Sequence, residues 1–444
     1  MFTTSAVGTN VCALPVGALL DRHGPRLSGI TGSVLLAIGA VLLAFAARFP
    51  FDGYILGYLF LALGGPFVFI SSFQLSNTFP THSGLILALL TGAFDSSSAI
   101  FLFYRLIYTA SDGSFYPQKF FLTYLIVPAF ILVVQVFLMP SRSYKTVGEL
   151  ATDAENPEND ADAADWGDRN EEQVTRIREQ RRMRRESVVS EVTSLLGNKG
   201  ASKQQRQEEK KQAISGVWGA QHGRSAFQQI KSPWFILITL FTVVQMTRIN
   251  YFVATIRTQY EYMLKDHRLA EQVNNVFDVA LPVGGLISVP FIGFILDNTS
   301  TPFVLGLLVT TATAIGILGV LPYTWAAYAN IALFVLYRPF YYTAVSDYAA
   351  KVFGFHAFGK VYGLVICLAG ILNFSQSALD AFTHKTFHSD PRPVNVILIV
   401  TALTVGVSLV GYVWDKSRWM ARDRLEDEAE DAPEARIPNV AAGG

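Results

Sequence analysis

The chain has 444 residues, 51% of them hydrophobic and 16% charged, and its 35 basic and 35 acidic side chains cancel. Of the 70 charges, 31 fall in 141–232 and 13 more from Asp415 onward, so the other 322 residues carry only 26, about a third of ordinary usage. That scarcity excludes a soluble fold, the zero net charge argues against nucleic acid as a partner, and Cys12 and Cys367, both inside apolar runs, give no disulfide framework.

A membrane-crossing helix needs roughly 20 mostly apolar residues, and windows of that kind recur with short polar breaks. Before the charged stretch they are 1–20, 30–47, 53–73, 84–108 and 120–139; after it, 234–256, 273–296, 303–321, 325–345, 358–382 and 394–414. Backbone polar groups in lipid must be satisfied within the segment, and the short alternating stretches of membrane strands are absent, so the expected fold class is an all-α membrane protein. The expected organisation is a first transmembrane half at 1–140, a disordered charged linker at 141–232, a second transmembrane half at 233–414 and a tail at 415–444. Arg22, Arg26, Arg142, Lys145, Arg224, Lys231, Lys351, Lys360, Lys416, Arg418 and Arg422 gather on one side of the predicted spans, which predicts a cytoplasmic linker and C-terminus.

The two halves repeat one another. Gly17-Ala-Leu-Leu-Asp21 answers Gly293-Phe-Ile-Leu-Asp297 at an offset of 276, and Leu90-Thr-Gly-Ala-Phe-Asp95-Ser-Ser97 answers Leu368-Ala-Gly-Ile-Leu-Asn373-Phe-Ser375 at an offset of 278. Five windows precede the linker and six follow it. The offset therefore predicts that the first half lacks its opening helix, with eleven spans of an expected twelve, and a start codon chosen too late is the favoured explanation.

Gly17-x-Leu19-x-Asp21-Arg22-x-Gly24-Pro25-Arg26 between two spans resembles the loop signature of the major facilitator superfamily, and two helical halves around a long insert resemble its architecture. Leu14-Pro15-Val16-Gly17, Gly92-Ala-Phe-Asp95-Ser-Ser-Ser98, Arg248-Ile-Asn250-Tyr251, Tyr337-Arg338-Pro-Phe340 and Phe358-Gly359-Lys360-Val-Tyr362-Gly363 further resemble solute carrier family 43, the sodium-independent large neutral amino acid transporters and their fungal relatives. The resemblance implies two helical bundles and transport of a small solute by alternating access.

Two groups of residues are candidates for that function. The gating group is Gly17, Asp21, Arg22 and Arg26 with the repeat mates Gly293 and Asp297. A carboxylate at a helix end suits the positive N-terminal end of another helix, and glycine one turn away permits close approach. The resemblance implies that Asp21 meets the helix opening near 356–359, and the repeat implies that Asp297 meets the one opening near 81–84. Solvated loop charge is the competing account.

The substrate-binding group is Asp95, Arg248, Asn250, Arg338, Asn373, Gly64 and Gly65. Asp95 sits about twelve residues into its span, at the depth where an ionisable group is functional by default. It can pair with a cation or a substrate ammonium, carry a proton, or glue helices through hydrogen bonds. Arg248 and Arg338 offer planar donor forks for a carboxylate, whether of substrate or of Asp95 or Asp278, and Pro339 predicts a local helix break. One polar network joining Asp95 to Arg248 across the halves would hold a zwitterionic amino acid. Gly64-Gly65-Pro66 frees backbone where a ligand docks or simply kinks a packed helix.

The linker opens acidic and turns basic through 176–185, with a charged helix near 171–185 and a basophilic kinase pattern, Arg184-Arg-Glu-Ser187, beside the alternative of plain linker. No two-histidine zinc helix, lysine-bearing phosphate loop or nucleophile elbow occurs, so neither an enzyme nor a cofactor or metal is expected. The expected function is a membrane transporter of neutral amino acids or a similar small organic solute. A transport-dead receptor or scaffold is the alternative.

Overall fold

The computed structural model describes residues 2–79, 82–141, 210, 212–354 and 358–430. Ser187, the acidic and basic blocks and the expected helix near 171–185 lie outside the described residues, as do 81 and 356. Among the described residues the secondary structure is helical throughout, with no strand.

The first half comprises α1 (Phe2–Val11), α2 (Ala13–Ala44), α3 (Gly53–Ser72), α4 (Ser83–Ser96), α5 (Ala99–Ala110), α6 (Pro117–Tyr124) and α7 (Ile126–Phe137). After α8 (Ala226–Ile230), the second half comprises α9 (Pro233–Leu264), α10 (His267–Asn298), α11 (Thr301–Leu318), α12 (Thr324–Phe353), α13 (Phe358–Leu372), α14 (Ser375–Thr386) and α15 (Arg392–Glu430). Nine segments among the described residues are long and apolar enough to cross a membrane. Eleven windows reduce to nine for two reasons.

Two windows share the segment Val7–Ala44. Within it Gly24 takes φ 81°, ψ 174°, a conformation open to glycine and closed to most other residues, and Pro25 restarts the helix with its fixed φ. The legs on either side run in opposite directions along α3. Gly8 lies by Leu59 and Cys12 by Leu63, whereas Ser28 bonds Phe67 O, Gly32 faces Gly64 and Gly39 faces Leu61. The chain therefore folds back at Gly24. The other shortfall is α12, a 30-residue helix carrying Arg338, Asp347 and Lys351. It is buried along nearly all of its last 17 residues, so neighbouring helices rather than lipid surround it and apolarity is not required of it.

The repeat reappears as architecture. The window 84–108 is broken into α4 and α5 at Ser97–Ser98, and 358–382 into α13 and α14 at Asn373–Phe374. α4 packs along α10, and α13 packs along α1 and α2, each contact joining one half to the other. Gly92 meets Gly285 and Val289; Gly363 meets Ala13; Gly370 meets Asn10. Beyond the breaks the pattern changes. α5 buries no residue and α14 buries only Gln376 and Thr383. The halves are thus sealed from the linker end to the breaks and parted beyond them.

The expected linker ended at Ser232, and the structure moves that boundary. Residues 212–232 fold onto the second half: Val217 is fully buried, the N–H groups of Gly219 and Gln221 donate to Lys351 O and Val352 O at 3.1 and 3.0 Å, and Gln229 Nε2 donates to Gln221 O and Phe353 O at 3.0 and 3.1 Å. A capping box between Ser225 and Gln228 starts α8. The predicted tail also begins as helix, since α15 continues from the last span through Glu430.

Candidate functional site

At the linker end the two halves are latched by carboxylates. Asp21 Oδ1 and Oδ2 accept the backbone N–H groups of Gly359 and Lys360, each at 2.9 Å, in the first turn of α13, where N–H groups have no partner within their own helix. The approach depends on Gly17, because a Cβ there would overlap the Gly359 carbonyl. Asp297 repeats the arrangement on α4, accepting from Gly84 N–H at 3.1 Å and Leu85 N–H at 3.2 Å. A Cβ on Gly293 would sit 2.8 Å from Leu85 Cα. Both carboxylates therefore touch the helices to which the resemblance and the repeat pointed. Arg22 is exposed. Arg26 donates through Nε to Met139 O at 2.7 Å and through its N–H to Pro140 O at 3.3 Å, tying the Gly24 turn to the end of the first half.

Behind the latches lies an aromatic constriction absent from the sequence-derived candidates. Phe73, from the first half, stands 6.1 Å from Phe358 and 5.6 Å from Tyr362 of the second, ring centre to ring centre, and those two stack at 5.2 Å. All three are at most 3% exposed. The four-residue spacing of Phe358 and Tyr362 was the available signal; nothing local marks Phe73. A buried ion pair, Asp347 to Lys351 at 2.7 Å, was also missed. Lys351 Nζ also donates to Leu296 O at 3.2 Å, beside the second latch.

At the helix breaks, Asp95 Oδ1 lies 3.1 Å from Nη1 of Arg338, with side chains 1% and 19% exposed. The oxygen stands off the N–H axis, since neither Asp95 oxygen has an aligned hydrogen bond, so charge attraction rather than directional bonding holds the contact. Gly285 makes room for it, as a Cβ there would come within 2.8 Å of Asp95 Cβ. Arg338 also lies over the Tyr342 ring at 5.9 Å. Asn373, the repeat mate of Asp95, is fully buried with neither amide atom bonded.

Two expectations need correction. Arg248 does not join Asp95. It faces the interior of the second half, where Nη2 donates to Ala312 O at 3.0 Å and Nη1 to Gln245 Oε1 at 3.3 Å; depth along a helix is legible in a sequence, but rotation about its axis is not. Pro339 does not break α12, which runs through it, because packing on all sides holds the helix together despite the missing donor. Gly64 faces α2, with a Cβ there 2.9 Å from Gly32 O, the geometry of helix packing. Gly65 faces open space, and Asn250 is half-buried.

Comparison with known proteins gives the family and the fold. A family model described as Major Facilitator Superfamily matches residues 1–375. The chain is 48% identical over 422 residues to Protein FMP42 of Saccharomyces cerevisiae, covering 93% of this chain and 83% of that one. It is 22% identical over 435 residues to Equilibrative nucleobase transporter 1 of Bos taurus, covering 91% and 81%. Large neutral amino acids transporter small subunit 3 of Homo sapiens is 35% identical over 115 residues, 24% of this chain and 20% of that one. Among solved structures, the proton:xylose symporter XylE shares the fold at a TM-score of 0.59 and 13% identity, over 93% of this chain and 84% of that one.

Proposed function

Given that this chain belongs to the major facilitator superfamily and is an integral, multi-pass membrane protein, we propose that it carries a neutral amino acid across its membrane by alternating access. The single observation that supports this reading is the Asp95–Arg338 pair. It places one acceptor and one donor fork, from different halves, at the helix breaks. A zwitterion carries the same two charges on one carbon, so its ammonium and carboxylate can replace each partner for the other without stranding a charge. In this reading the linker and C-terminus face the cytoplasm, and the latched state is closed to that side and open to the other.

Alternating access needs two states of nearly equal free energy. Each latch is a carboxylate against a helix N-terminus, worth about 0.3–1 kcal/mol, or up to about 2 kcal/mol when partly buried. Restraints of that size can be broken in every cycle.

A nucleobase is the second reading, favoured by the length over which the bovine nucleobase transporter aligns and by Asn373, whose free amide offers one donor group and one acceptor to a ring edge. Uptake of radiolabelled leucine and adenine into liposomes holding the purified chain separates the two. Leucine uptake lost in Asp95→Asn supports the amino acid, and adenine uptake without leucine uptake supports the nucleobase. Uptake of neither would favour a receptor or scaffold.

A further inference from the structure

The second half holds a partly open cavity of about 50 Å3, and its walls carry polar chemistry that neither the latches nor the helix breaks use. Its lining comes from α9, α11 with the Gly319 that follows it, α12 and α15, so it is not part of the space between the halves. At the ~10–15 Å3 needed by each water, it has room for a few waters or one small ion.

Arg248 projects into it. The guanidinium cannot lose its proton, and among the described residues no carboxylate lies within 4 Å of it; its bonds go to neutral oxygens of Gln245 and Ala312. Two further donors on the wall have no acceptor: Gln245 Nε2, on a residue 1% exposed, and the hydroxyl of Tyr337, 3% exposed. A cation with no carboxylate beside it and two unpaired donors, set against the single unpaired acceptor Asn330 Oδ1, form a set short of an acceptor, and of a negatively charged one because the guanidinium charge has no counter-ion. Asn330, 1% exposed, turns Nδ2 to Tyr260 OH at 3.0 Å and leaves Oδ1 unpaired.

We infer that this cavity is a binding site for a small monoanion, either a halide or a single carboxylate group, held by Arg248, Gln245 and Tyr337. The site is separate from the Asp95–Arg338 pair and does not depend on the identity of the carried solute. Anion occupancy would neutralise the buried guanidinium and stiffen the contact of α9 with α11 and α12.

Thermal melting of the purified full chain, as sodium gluconate is replaced at constant ionic strength by sodium chloride or sodium formate, tests this. The expected result is a saturable rise in melting temperature. Arg248→Gln should raise the half-saturating concentration about tenfold or more, and Tyr337→Phe about three- to tenfold. In gluconate Tyr337→Phe should melt with wild type, because its hydroxyl bonds nothing there; that variant keeps the test decisive if Arg248→Gln does not fold. A response to chloride alone marks a halide site, and formate competing for the same rise marks one that accepts any small monoanion. No saturable rise with either salt, or an undiminished response in both variants, overturns the proposal.

Discussion

Asp95 of the first half stands 3.1 Å from Arg338 of the second, level with the breaks in α4–α5 and α13–α14. Removing one member strands the other charge at a cost of about 3–5 kcal/mol. Asp95→Asn and Arg338→Gln are each expected to melt well below wild type, and the double substitution above either single. Arg248→Gln on the Asp95→Asn background should give no such recovery, since Arg248 faces α11. A double Asp95/Arg338 variant no more stable than its singles would show that the pair contributes nothing to the fold.

The latches should be separable and weak. Asp21→Asn and Asp297→Asn are each expected to cost about 0.3–1 kcal/mol of helix-end attraction, raising the linker-side labelling of a cysteine placed at Thr91, which is buried on α4 between its latch and its break. Gly17→Ala should raise it more than Asp21→Asn, because its methyl overlaps the Gly359 carbonyl and forces the helices apart. Equal labelling across the set would return both carboxylates to ordinary surface charge.

The constriction predicts a different signature. Phe73→Ala removes the first half's contribution to a buried aromatic contact, and large-to-small substitution of a buried phenylalanine typically costs about 3–5 kcal/mol. Here the loss falls on the sealed state alone, so linker-side labelling should rise while Asp21 and Asp297 remain intact. Melting depressed without any change in labelling would assign Phe73 to general packing.

Burial pushes the His222 imidazole down from its ordinary value of 6.5. The docked segment 212–232 therefore favours neutral His222, and its stability is complete above pH 6.5 and falls as the pH drops below it toward the lowered value. Limited proteolysis of this segment should accelerate on acidification, and His222→Gln should flatten that dependence. A pH profile shared by wild type and variant would remove His222 as its cause.

The latches were legible because they depend on an interval: glycine four residues before aspartate at a helix end, twice, at nearly one offset. The helical class was legible from window length alone. Partners across the bundle were not, and Arg248 shows why. Arg248 and Arg338 read alike at similar depth, yet one faces Ala312 and the other Asp95, and only packing sets that rotation. The breaks at Ser97–Ser98 and Asn373–Phe374 contain neither proline nor glycine, so no breaker signal marked them. The docked segment 212–232 was hidden by its polar composition, since the clamp is one glutamine amide reaching three carbonyls.

Backbone pressed on backbone has no rotamers to exchange. Where Gly17 meets Gly359 and Gly363 meets Ala13, a small sliding displacement would drive one chain into the other, with no side chain available to yield. The halves can leave this arrangement only by lifting apart as solid pieces, so the seal behaves as a two-position switch, shut or released. A single covalent staple across any one of these contacts should accordingly arrest the whole cycle, and graded slippage under partial crosslinking is not an available outcome.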